Sequence, residues 1–161
     1  MAKRTSTKER GLYKTEISTA LFNSENIREL ILGDVSNLSK SEVLEKFKSY
    51  VKSHIFIDDT ITDDGTYIFY DVIMPSLKSN IKNCQVLMYL ICHRDSLEDY
   101  SKEGYYGNKS DILSQMVEEA LLDESVVNNF GIGRLSLDSI DIYNSTHFYG
   151  CVMRYSVPNF R

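Results

Sequence analysis

Two stretches decide the fold. Thr66-Tyr67-Ile68-Phe69-Tyr70-Asp71-Val72-Ile73-Met74 is followed ten residues later by Cys84-Gln85-Val86-Leu87-Met88-Tyr89-Leu90-Ile91-Cys92-His93. Both are rich in β-branched and aromatic residues, and both are apolar at odd and even positions alike, so each reads as a strand with two apolar faces. Pro75 is expected to end the first, with a polar connection of about nine residues before the second. A domain with few helices covers one face of such a sheet more easily than two, so the other face is expected to meet another subunit.

Downstream, Arg134–Tyr143 and His147–Val157 read as two more strands joined by a tight turn at Asn144-Ser145. Leu135 and Leu137 share one parity while Ile140 and Ile142 share the other, a one-residue slip that predicts a β-bulge near Asp138-Ser139. Tyr149, Cys151, Met153, Tyr155 and Val157 are expected on one face of the last strand.

Upstream lie helices. Ser39-Lys40-Ser41-Glu42 is a capping-box pattern, and the helix after it, about 40–53, places Val43, Leu44, Phe47, Tyr50 and Val51 on one side. Residues 15–32 read as a short helix or turn and then a helix over about Glu25–Leu32, stopped by Gly33. Between the strand pairs, 94–108 reads as a long loop, and Ser110 as the cap of a helix over about 111–123 with Ile112, Leu113, Met116, Val117, Ala120 and Leu121 inside. The order of elements indicates an α+β fold: a mainly antiparallel four-stranded sheet, helices on one face, and a short helical N-terminal region.

The 161 residues suit a single domain, and no stretch approaches the about 20 apolar residues of a membrane span. The N-terminal residues are polar, unlike a signal peptide, so a protein made in a cytoplasm is expected. The net charge of −5 divides unevenly. Residues 1–14 carry Lys3, Arg4, Lys8, Arg10 and Lys14 against one Glu, and the rest of the chain is strongly acidic. Residues 1–14 are therefore expected to form a basic flexible arm, ahead of a single domain over 15–161. An acidic body argues against a protein that grips nucleic acid, because grip comes from cations on phosphates.

Motifs with chemistry fail on inspection. His93-Arg94-Asp95 matches the first letters of a kinase catalytic loop, but Ser96 and Tyr100 stand where Leu and Asn are needed. Gly131-Ile132-Gly133 lacks the third glycine of a dinucleotide fingerprint and precedes a strand. Aligning Gly65 with the glycine of a calcium loop puts Thr60 and Thr62 at ligand positions and Asp71 at the twelfth, so the acidic turn Asp58, Asp59, Asp63, Asp64 reads as solvated. Cys92 and His93 adjoin, but strand neighbours point to opposite faces and form no dyad. Cys84, Cys92 and Cys151 read as buried free thiols. No catalysis, metal or cofactor is expected.

The second half resembles the tail-terminator or neck (head–tail joining) proteins of tailed bacteriophages. The likeness runs from the strand Cys84–His93 through Gly107-Asn108-Lys109-Ser110-Asp111-Ile112-Leu113 and the helix to Leu122, then Phe130-Gly131-Ile132-Gly133-Arg134-Leu135-Ser136-Leu137 and Phe148-Tyr149-Gly150-Cys151-Val152-Met153-Arg154-Tyr155-Ser156-Val157, within residues 66–160. It implies a virion subunit, assembled in the host cytoplasm, that closes into a homo-oligomeric ring, usually sixfold. Such a ring caps the tail-tube protein, meets the head connector or neck proteins, and lets DNA pass without binding it specifically. On that reading Asp58, Asp59, Asp63 and Asp64, or the acidic 95–124 segment, line the lumen and repel phosphate. The arm residues Lys3, Arg4, Lys8, Arg10 and Lys14 dock on a neighbouring subunit, so deleting 2–14 is expected to leave a folded domain that assembles weakly. The alternatives are another ring-forming virion subunit (head-completion adaptor, tail tube or baseplate), or a small cytosolic enzyme or ligand-binding domain using His93, Tyr100, Tyr105 and Tyr106.

Overall fold

The computed structural model describes residues 5–58, 60, 64–78, 81–123 and 135–157. Its elements run α1 (Ser6–Asn23), α2 (Glu25–Leu32), α3 (Lys40–Tyr50), β1 (Val51–Lys52), β2 (Thr66–Lys78), β3 (Ile81–His93), a short 3-10 turn (Arg94–Ser96), α4 (Lys109–Leu122), β4 (Ser136–Asn144) and β5 (Phe148–Ser156). The class is α+β, with the sheet ordered β1-β2-β3-β5-β4. Four strands pair antiparallel as expected, and β1 adds a fifth, parallel to β2.

β1 is the piece assigned to helix in the sequence reading. The helix stops at Tyr50 because β-branched Val51 turns extended (φ −120°, ψ 112°) and pairs with Ile68. The polar connection expected between the first two strands is also corrected. β2 continues past Pro75 to Lys78 and β3 starts at Ile81, so the two form one long hairpin. Pro75, which has no N–H for a ladder, sits where the register shifts between Ile73 and Ser76. The bulge anticipated in β4 lies between Leu137 and Ser139. The Gly131-Ile132-Gly133 turn and the strand start at Arg134 fall outside the described residues.

The basic arm is the largest correction. From Ser6 onward it is the first part of α1, started by the Thr5 hydroxyl, which accepts a hydrogen bond from the Lys8 amide. Tyr13, Ile17, Ala20 and Leu21 recur at helical spacing and are buried. Arg10 and Lys14 bind the domain itself. The Arg10 Nε donates to the Val72 carbonyl (2.6 Å), while its Nη2 and the Lys14 Nζ reach Asp71 Oδ1 at 2.7 and 2.8 Å. The edge of β2 that two-residue β1 leaves uncovered is thus capped by α1. Lys3 and Arg4 lie outside the described residues.

One core joins all four helices to one sheet face, with Ile68, Tyr70, Val72, Val86, Met88, Leu90, Met153 and Tyr155 on the sheet side. α4 packs on β3 and β5 through Ile112, Leu113, Met116, Val117 and Leu121. Its cap is Asn108 rather than Ser110: the Asn108 side chain accepts from the Asp111 amide while Asp111 accepts from the Asn108 amide.

Candidate functional site

Cross-strand pairing sorts the other sheet face into rows. Tyr67, Ile91, Gly150 and Tyr143 share one row, and Phe69, Tyr89, Val152 and Asp141 the next. A second, smaller cluster of Tyr67, Phe69, Ile91 and Phe148 forms here, with Tyr50, Ile57, Tyr89 and Tyr143 against it. Tyr67 stacks along Phe69 (centroids 5.8 Å) and meets Phe148 edge-on (5.9 Å), and Tyr89 meets Tyr143 edge-on (5.8 Å). The chain's own aromatics therefore close much of the face that was expected to need a partner. Gly150 lets the row close: a Cβ there would overlap the Leu90 carbonyl on the adjoining strand.

Exposed apolar side chains stand at Ile55-Phe56 and on β4. Ile140 and Ile142 pair with Met153 and Cys151, so they point to the helix side, yet they are 56% and 75% exposed. α4 packs on β3 and β5, and β4 overhangs as the outermost strand of the sheet.

The acidic turn and the loop after β3 meet at one end of the sheet. His93, buried, accepts a hydrogen bond at Nδ1 from the Asp95 amide (3.2 Å) and so caps the 3-10 turn. Asp64 Oδ1 and Asp95 Oδ2 stand 3.6 and 3.7 Å from that same nitrogen. These three ligand-type atoms lie within 4.8 Å of one another, but the Asp95 amide already uses the lone pair a metal would take. The Ser96 hydroxyl donates to the Asp64 and His93 carbonyls, and the Arg94 Nε donates to the Ser145 carbonyl. The His93 ring lies parallel to His147 at 6.0 Å and edge-on to Phe148 at 5.6 Å. Sequence reading missed the capping role of His93, for which the polar Asp95 and Ser96 just after an apolar strand were the available signal.

Of the four acidic candidates, Asp64 joins this cluster. Asp58 instead accepts from the Thr60 hydroxyl and amide (2.6 and 2.9 Å), bonds that hold its carboxyl below the usual range. Asp59 and Asp63 lie outside the described residues. The long loop is pinned rather than open. Tyr105 donates to Glu119 (2.7 Å) and accepts from Asn26 (3.1 Å), and Lys102 pairs with Glu29 (3.0 Å). Tyr106 stands 77% exposed.

Cys92 lies on the helix side of β3 and His93 on the opposite face, so they form no dyad. All three cysteines are free, and burial pushes the Cys84 and Cys92 thiols up to about 11 and Cys151 to about 12. As thiols they are poor nucleophiles. No helix among the described residues is long and apolar enough to cross a membrane.

Among known proteins, a family model described as YomW, a phage-derived protein name, matches residues 16–157. No curated protein matches the chain.

Proposed function

The chain belongs to the YomW family, a phage-related one, and from that premise we propose that it is a structural virion subunit, without catalytic activity or cofactor, that assembles with copies of itself into a ring at the head–tail junction. The observation that carries this reading is the overhanging strand β4. Among the described residues β4 is an edge strand with two exposed isoleucines, a surface that can pair with another copy. The opposite edge is already closed by β1 and Arg10, so the two sides of the sheet differ. A ring needs such unlike surfaces: β4 of one copy seats on a different surface of the next, whereas β4 against β4 would stop at a dimer. The acidic end of the sheet, with Asp64 and Asp95, suits a wall past which DNA slides without sticking. The tail-tube and head-connector proteins are the partners this reading assigns above and below the ring.

Light scattering on the full chain, alone and with the tail tube, tests the proposal. A mass near six copies is expected, and the double substitution Ile140→Lys/Ile142→Lys should return it to one copy without lowering Tm. A wild-type mass of one or two copies under both conditions overturns it.

A further inference from the structure

We infer that the cleft between α1, α3 and β1 binds a small phosphate-bearing anion of about mononucleotide size. The cleft measures about 570 Å³, within the range of small-molecule sites, and Tyr70, Phe22, Leu44 and Val51 give it an apolar floor and wall. Three lysines from three elements line it, Lys14 of α1, Lys48 of α3 and Lys52 of β1, with His54 beside them. Among the described residues no carboxylate lines it, although the chain as a whole carries a net −5.

The helix dipole attracts a cation to the last turn of a helix, which accounts for Lys48 at the end of α3. It accounts neither for Lys14, in the middle of α1, nor for Lys52, in a strand. Neighbouring charges do not consume the positive potential. Lys14 donates to the Ser53 carbonyl (2.8 Å) and contacts Asp71, but Asp71 is shared with Arg10, so its single negative charge faces two cations. Lys48 and Lys52 have no ion-pair partner among the described residues. Thr15, Ser18 and Thr19 of α1 line the same wall; the Thr15 hydroxyl donates to the Gly11 carbonyl (3.2 Å), and Ser18 is hydrogen-bonded to Tyr70. Lysines suit phosphoryl oxygens, and the apolar wall suits the uncharged remainder of a phosphate ester.

The test is calorimetric titration of the full chain with ATP, pyrophosphate, adenosine and a short DNA duplex. ATP and pyrophosphate should bind and adenosine should not. Lys48→Ala/Lys52→Ala should weaken ATP by at least about tenfold at unchanged Tm, while Lys102→Ala, outside the cleft, leaves it unaltered. The inference is overturned if neither phosphate compound binds at about 5 mM, or if the double variant binds ATP as the wild type does. It is also overturned if the duplex binds more tightly than ATP and is lost in the same variant, since the site would then belong to nucleic acid.

Discussion

Asp71 shows how one residue can join distant parts of the chain. Burial raises its carboxyl pKa, but the hydrogen bond from Lys14, the Val72 amide, and the charges of Lys14 and Arg10 outweigh burial and leave it lowered. A carboxyl depressed in the folded state stabilises the fold above its unfolded pKa of about 3.9, and that contribution disappears as pH falls through the lower folded value. Asp71→Asn should therefore be less stable than wild type at neutral pH, with the gap closing in acid. Urea unfolding at a series of pH values measures it, and a pH-independent gap would contradict the ion-pair account. Gly150 acts by the opposite means, having no side chain. Gly150→Ala forces a methyl against the Leu90 carbonyl and should cost about 2 kcal/mol or more, read as a fall in the urea midpoint. The thiols should resist a thiol reagent at pH 8 in the native protein and react fully in urea, because burial holds them protonated.

At the scale of elements, α1 and α4 differ in how openly their sequences announce them. The stripe of α4 is dense, from Ile112 to Leu121, and only its cap was misplaced by two residues. Asn108→Ala should cost about 1 kcal/mol, seen as a lower Tm. α1 hides behind its charges: Gly11, three threonines and five cations or anions along the helix obscure Tyr13, Ile17, Ala20 and Leu21. Because Tyr13 is 1% exposed, removal of residues 2–14 should destabilise the domain itself, contrary to the sequence expectation. Tyr13→Ala alone should cost about 3 kcal/mol, and circular dichroism on heating decides between a truncated domain that melts early and one that does not. The family match begins at residue 16, inside α1, so this helix reaches beyond the matched region.

For the whole molecule, the described residues cover the β2 edge with β1 and Arg10 and leave β4 outermost on the other side, and the proposed ring depends on that asymmetry. Charge reversal of Asp58, Asp59, Asp63 and Asp64 to Lys should slow DNA ejection from assembled particles if the acidic segment 58–64 lines the channel, and unchanged ejection kinetics would remove it from the lumen. By itself the sequence determined the α+β class, the four antiparallel strands and the bulge in β4. Each of these is written in local periodicity and does not depend on distant partners. Only the tertiary structure decided that Arg10 and Lys14 seal an edge, that the aromatic face is closed by its own rings, that His93 caps a turn and that three lysines share a cleft. Those facts join residues as far apart as Arg10 and Val72, or Tyr67 and Phe148, and their energies come from burial and charge proximity, which no single segment encodes.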